Sequence, residues 1–230
     1  MSILRLIIFI LICSSLPLKA EAQDETAMQL LQRVQNSFVE VRTTATKTFN
    51  EANGHTKVAT YHAEGFGIII DSHGLIVTNT HIIANSPQIF VGLSDGTILE
   101  AKLVYSSDAD FSFIKIDPPQ PLEVITWADS SQAKQGAQVI VLNKANDGQD
   151  HVLGGEITDL IYGMDSDNVE MFELNIDLVH GDSGGPLLDD QGHLLGMITA
   201  KKLSEDNKSY AIASNKIQRE YELYEQNHQE

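Results

Sequence analysis

The chain has 230 residues, a formal charge of −17 and a single cysteine. One cysteine excludes a disulfide framework and any multi-cysteine zinc or iron–sulfur site. Fifteen Lys and Arg against 32 Asp and Glu exclude nucleic acid as the main partner, and 42% hydrophobic with 20% charged residues is a globular balance.

Residues 1–22 read as a secretory signal. Arg5 supplies the basic start, Leu6 to Leu16 the apolar stretch, and Ala20-Glu21-Ala22 the small residues that a signal peptidase reads. Cleavage near Ala22 would start the mature chain at Gln23, in a periplasmic or secreted setting, and remove Cys13. Pro17 and Lys19 interrupt the apolar run before the ~20 residues of a membrane span, so no stable span is expected in the mature form.

Residues 24–36 have Met28, Leu30, Leu31 and Val34 at helical spacing. From Phe38 the texture changes: Val39, Val41 and Thr43 alternate with polar neighbours, as in a half-buried strand. Residues 45–63 have no clear period and read as a mobile loop or a weak hairpin. Short apolar runs follow. Gly67–Ile70 and Leu75–Asn79 flank the turn at Asp71-Ser72-His73-Gly74, and Ile89–Leu93 and Ile98–Val104 flank Ser94-Asp95-Gly96. Ser112–Ile116, Gln138–Leu142, Gly155–Tyr162, Val169–Asn175, Pro186–Leu188, Leu194–Ala200 and Tyr210–Ala213 continue the series. Many short strands at regular spacing predict an all-β barrel or sandwich. Pro118, Pro119 and Pro121 mark a boundary between halves. At the end, Ile217, Tyr221 and Tyr224 share a helical face that is expected to pack on the body.

The sharpest motif is Gly181-Asp182-Ser183-Gly184-Gly185-Pro186. Acyl transfer needs an activated nucleophile and donors for the oxyanion it creates. Glycines around Ser183 allow a sharp turn that aims the Gly181 and Ser183 amides at one spot. A serine nucleophile also needs a base, and the base an orienter. His81 ends the apolar run Ile76-Val77-Thr78-Asn79-Thr80, and Asp110 opens Phe111-Ser112-Phe113-Ile114. Asp108 is a rival orienter. The order His, Asp, Ser is that of chymotrypsin-type enzymes.

Several ordered motifs carry a family resemblance. Gly65-Phe66-Gly67-Ile68-Ile69-Ile70-Asp71, Gly74-Leu75-Ile76-Val77-Thr78-Asn79-Thr80-His81, Leu93-Ser94-Asp95-Gly96, Asp110-Phe111-Ser112-Phe113-Ile114-Lys115-Ile116 and Ser209-Tyr210-Ala211-Ile212-Ala213-Ser214-Asn215 follow one another at the family's spacing. Over about Leu30 to Lys216 the sequence resembles the trypsin-like protease domain of the HtrA/Deg family. The resemblance implies two six-stranded β-barrels of chymotrypsin type, the active site in the cleft between them, and short N- and C-terminal helices. It divides the chain into a signal at 1–22, a helical segment at 23–37, a first barrel at 38–125, a second at 126–215 and a helix or tail at 216–230. It implies a Ser-His-Asp endopeptidase of protein or peptide substrates, unfolded or partner proteins among them, with His81, Asp110 and Ser183 as the triad and no cofactor or metal. Trimerisation through the N-terminal segment would fall on residues 24–37. A non-catalytic or latent binding module on the same fold, with a chaperone-like role, is the alternative.

Specificity is divided. Asp177, six residues before Ser183, falls at the base of the first specificity pocket in trypsin-like folds, where a buried carboxylate would select Lys or Arg. HtrA-type enzymes instead prefer aliphatic side chains. The wall segment Thr199-Ala200-Lys201-Lys202 adds two cations that would neutralise Asp177 or select an acidic substrate. The loop Leu142-Asn143-Lys144-Ala145-Asn146-Asp147-Gly148 departs from the family's Gly-Asn-Pro-Phe-Gly, which implies a trigger or partner for activity. The chain ends about 15 residues beyond Asn215, short of a PDZ module. The remaining histidines, His180 beside Gly181 among them, show no metal spacing.

Overall fold

The computed structural model describes residues 29–50, 56–84, 86–144, 150–164, 166–179, 181–201 and 208–228. The proposed signal segment lies outside these residues, as do His180 and Lys202. A short helix, α1 (29–34), leads into β1 (Phe38–Asn50), β2 (Thr56–Ile69) and β3 (Leu75–Thr78). Then come α2 (Thr80–Ile83), β4 (Gln88–Gly92), β5 (Ile98–Ser106) and β6 (Ser112–Lys115). A 3₁₀ turn at Ser130–Gln132 precedes β7 (Gln138–Lys144), β8 (Asp150–Tyr162), β9 (Val169–Leu174), β10 (Pro186–Leu188), β11 (Leu194–Lys201) and β12 (Ser209–Ala213). The helix α3 (Ser214–Asn227) follows.

The strands close into two antiparallel barrels, β1-β2-β3-β6-β5-β4 and β7-β8-β9-β12-β11-β10, which trace the same path. Burial explains the sequence texture. Inside the first barrel lie Val39, Val41, Ile76 and Ile114; inside the second lie Val141, Phe172, Leu187 and Ile198. A third core fills the space between the barrels, with Phe66, Ile68, Val77, Phe113, Leu142 and Met197 among its members. Alternate residues of a strand point to opposite faces, so β3 and β6 are buried on both. Val77 and Phe113 face the other barrel, while Ile76 and Ile114 face the barrel interior. These strands therefore read as continuous apolar runs rather than as alternation.

Of the two readings offered for residues 45–63, the described ones, 45–50 and 56–63, take the hairpin. β1 and β2 pair without interruption from Phe38↔Ile68 to Asn50↔Thr56, whereas β1 meets β4 only over Glu40–Thr44. The outer half of the pair is thus a two-stranded ribbon beyond the barrel wall. Among the described residues no third strand pairs with it to complete a core face, which is why its sequence lacks a hydrophobic period.

The terminal helices fasten to this body as their patterns predict. Leu30, Leu31 and Val34 of α1 are buried in the inter-barrel core, and Arg33 donates to the Gln191 carbonyl at 2.9 Å. Ile217 of α3 is fully buried in the same core, with Tyr221 and Tyr224 packed against it.

Candidate active site

His81 lies just past the end of β3, in the single turn of α2. The buried Ile82 and Ile83 anchor that turn and leave the His81 side chain 49% exposed. Asp110 sits in the turn between β5 and β6 with φ at 58°, the only non-glycine residue with positive φ among those described. Asp tolerates this left-handed conformation better than most residues, yet strain here is held by surrounding contacts. Its carbonyl accepts the Thr80 amide at 3.2 Å and the Asn79 side-chain amide at 3.0 Å.

The Asp110 carboxylate gathers three donors. Oδ1 accepts the His81 amide at 3.0 Å; Oδ2 lies 2.8 Å from His81 Nδ1 and accepts the Thr199 hydroxyl at 2.6 Å. Burial pushes the carboxyl up, but the hydrogen bonds from the His81 ring, the Thr199 hydroxyl and the His81 amide outweigh it and hold it below the ordinary carboxylate range. With Nδ1 engaged, Nε2 is the ring nitrogen left for other chemistry. Asp110, and not Asp108, is the carboxylate joined to His81.

Ser183 comes from the second barrel, in the turn before β10. Gly181 and Gly184 adopt φ of 108° and 82°, which side-chain-bearing residues resist. A Cβ on Gly184 would lie 1.9 Å from the Phe66 carbonyl oxygen, so the turn presses directly on β2. The Phe66 amide donates to the Ser183 carbonyl at 2.8 Å, and a Cβ on Gly65 would meet that same oxygen at 2.7 Å. Gly65 and Gly184 thus let the Ser183 turn interlock with the first barrel beside α2. The Gly65-Phe66-Gly67 motif carried this signal, although the sequence alone did not reveal its partner.

Within the turn, the Asp182 amide donates to Val179, the Gly184 amide to Ile198 and the Gly185 amide to Asp182. Asp182 is itself 3% exposed and accepts the Val179 amide at 2.6 Å, a bracing role that the sequence reading missed. Among the described residues, the amides of Gly181 and Ser183 have no acceptor. The Ser183 hydroxyl donates to the Thr199 carbonyl at 3.3 Å, and no hydrogen bond joins it to His81 among the described residues. Thr199 therefore touches both halves of the site, with its side chain on Asp110 and its carbonyl on Ser183.

The expected specificity residues are more dispersed. Asp177 stands exposed beside Thr158, Glu173, Asn175 and Lys208, while its neighbour Leu178 is buried in the second barrel. Ala200 and Lys201 pair with Tyr210 and Ser209 at the end of β11. No cluster of three metal-ligating side chains occurs among the described residues.

Known proteins resemble this chain in sequence and in fold. A family model described as a trypsin-like peptidase domain matches residues 65–197. The chain is 31% identical over 161 residues to the serine protease HTRA1B of Danio rerio, covering 67% of this chain and 33% of that protein. It is 31% identical over 172 residues to the periplasmic serine endoprotease DegP of Escherichia coli (strain K12), covering 72% of this chain and 36% of DegP. It thus spans about a third of the length of these curated relatives. A solved HtrA-type protease, an AlgW variant with a decapeptide, superposes with a TM-score of 0.73 at 22% identity, covering 89% of this chain and 68% of that one. The likeness to AlgW is one of fold. With two closed barrels, a His–Asp pair on the first and the Gly-Asp-Ser-Gly-Gly turn on the second, the chain belongs to the trypsin-like peptidase domain family and is related to the HtrA/DegP proteases.

Proposed function

We propose that the chain is a serine endopeptidase whose nucleophile is Ser183, whose general base is His81 and whose orienting carboxylate is Asp110. The observation that carries this reading is the Asp110 carboxylate fixed on His81 Nδ1 at 2.8 Å, which leaves Nε2 as the base. In the reaction, the Ser183 hydroxyl turns from the Thr199 carbonyl to Nε2. Oγ attacks the scissile carbonyl as Nε2 takes its proton, and Asp110 stabilises the imidazolium. The Gly181 and Ser183 amides donate to the oxyanion, each contribution of this kind being worth about 10²–10³ in rate. His81 then protonates the leaving amine, and a water deprotonated by His81 hydrolyses the acyl-enzyme.

The substrate is a peptide or unfolded protein lying along Thr199, Ala200 and Lys201. Asp177 is exposed, so it lacks the desolvation that makes an unpaired pocket carboxylate strongly selective; peptides differing only before the scissile bond would test its role. Residues 1–22 and the kinship with periplasmic proteases support a periplasmic or secreted enzyme cut near Ala22. Leu30, Leu31 and Val34 are buried within the chain itself, so a trimer through residues 24–37 would use the segment's other side chains.

One observation favours a second reading, a latent form. The Ser183 hydroxyl bonds to Thr199 rather than to His81, so a partner or substrate would complete the triad. A peptide-library cleavage profile of the mature chain beside Ser183→Ala tests both readings. Activity lost by about 10⁶ in the variant supports the enzyme. Cleavage by the parent only after a partner is added supports latency. Equal cleavage by parent and variant would overturn the assignment.

A further inference from the structure

The helix α3 follows β12, packs on the strands of the second barrel and reaches the first with some of its side chains. Tyr221 and Tyr224 meet Phe113 edge-on, with ring centroids 6.2 and 5.8 Å apart. On its own barrel α3 is held by Glu170 of β9, which takes Lys216 and, at 2.9 Å, Arg219. On the first barrel the anchor is Glu220. Its Oε2 accepts the Tyr105 hydroxyl and its Oε1 accepts the Ser107 hydroxyl at 3.2 Å.

Ser107 heads the turn that carries Asp110. Its Oγ accepts the Ala109 amide at 3.2 Å, so its one proton goes to Glu220. Its own amide donates to the Phe111 carbonyl at 2.9 Å. The turn bounded by these bonds keeps Asp110 at its positive φ. A carboxylate suits this position because each of its two oxygens receives one hydroxyl. The hydrogen bond from Tyr105, aided by burial and by the charges of Glu220 and Asp108, pushes the Tyr105 phenol up to about 12, so it stays a donor throughout the physiological range.

We propose that Glu220 is a positioning residue for the His81–Asp110 pair: from the helix of the second barrel it clamps the Ser107–Phe111 turn of the first and thereby fixes the carboxylate that orients the imidazole. The proposal rests on the catalytic roles assigned above. It links the barrel that supplies Ser183 to the turn that supplies Asp110, along the path Glu220, Ser107, Asp110, His81. Motif reading passes over it, because Ser107 and Glu220 belong to none of the sequence signatures.

Amide hydrogen exchange on the full chain tests the clamp without turnover, since the Thr80 and His81 amides both donate to Asp110. In Ser107→Ala and Glu220→Ala these two amides should exchange about tenfold faster relative to the Ile116 amide, which donates to Gly74 elsewhere in the same barrel. Peptide cleavage should slow about three- to thirty-fold in kcat, with KM within about twofold. Glu220→Gln, which keeps an acceptor for Ser107, should recover most of both effects. Glu170→Gln loosens α3 without touching the turn and should leave the exchange ratio unchanged. Unchanged ratios in Ser107→Ala and Glu220→Ala would overturn the proposal, and so would an equal rise in Glu170→Gln, which would mean general helix packing. Because exchange is read without catalysis, a chain that never cleaves peptide refutes the endopeptidase reading and still reports on the clamp.

Discussion

Thr199→Val isolates the least conspicuous contact of the site. Valine keeps the shape of threonine and removes only the hydroxyl that donates to Asp110 Oδ2 at 2.6 Å. A hydrogen bond to a charged group contributes about 1.5–3 kcal/mol. The Asp110 side chain is 36% exposed, so solvent screens the contact and the lower end applies, about 1–1.5 kcal/mol. Thr199 is 4% exposed, so water cannot readily replace the lost donor. The sign of the pH dependence follows from Asp110, whose carboxyl is held below its ordinary range in the folded chain. Such a group stabilises the fold above its unfolded pKa, about 3.9, and the contribution is lost as pH falls through the lower folded value. Urea unfolding of parent and variant should therefore differ by about 1–1.5 kcal/mol at pH 7, and the gap should narrow below about pH 4. Equal stability at pH 7, or a gap that persists unchanged at pH 2, would refute the assigned role of Thr199.

Other substitutions probe the frame around the site. Gly184→Ala should prevent native packing of the Ser183 turn, since its Cβ would lie 1.9 Å from the Phe66 carbonyl and φ is 82°; a thermal midpoint equal to the parent's would contradict the interlock. Phe113→Ala empties a fully buried site in the inter-barrel core and should cost about 3–5 kcal/mol in denaturant unfolding, whereas a loss under about 1 kcal/mol would mean the barrels barely depend on it. Tyr105, pushed up to about 12, should ionise well above the ordinary phenol range in an ultraviolet titration, and that step should vanish in Tyr105→Phe. A phenol held neutral stabilises the fold fully below its unfolded pKa, about 10, and progressively less as pH rises towards 12. Stability that is flat across that window would argue against the Tyr105–Glu220 bond.

Much of this molecule was written in local patterns. Alternation at Val39, Val41 and Thr43 predicted a strand because one face of β1 looks into the barrel. The run Ser112–Ile116 showed no alternation because β6 lies between two cores, yet its length and its flanking turn residues still marked a strand. The helical face of Ile217, Tyr221 and Tyr224 was legible because a single core receives all three. What escaped depends on partners distant in sequence. The β1–β2 ribbon was legible only as one of two alternatives, a loop or a weak hairpin, because among the described residues its outer half pairs with no third strand and so has no period. Thr199 stood out as a pocket-wall residue, but its hydroxyl reaches Asp110, 89 positions earlier in the chain. Gly65 was visible as a motif glycine, while the reason for it, the Ser183 carbonyl pressing against it, exists only once the barrels dock. Asp177 was placed by counting from Ser183, and counting does not report burial; the side chain is exposed.

Covalent labelling of the mature chain with a fluorophosphonate, mapped by mass spectrometry, asks whether Ser183 is the nucleophile. A single modified residue, Ser183, is expected, with labelling abolished in Ser183→Ala and strongly slowed in Asp110→Asn, in which His81 loses the carboxylate that fixes its tautomer. A parent chain that cleaves peptides while Ser183 stays unlabelled, with cleavage persisting in Ser183→Ala, would contradict that role.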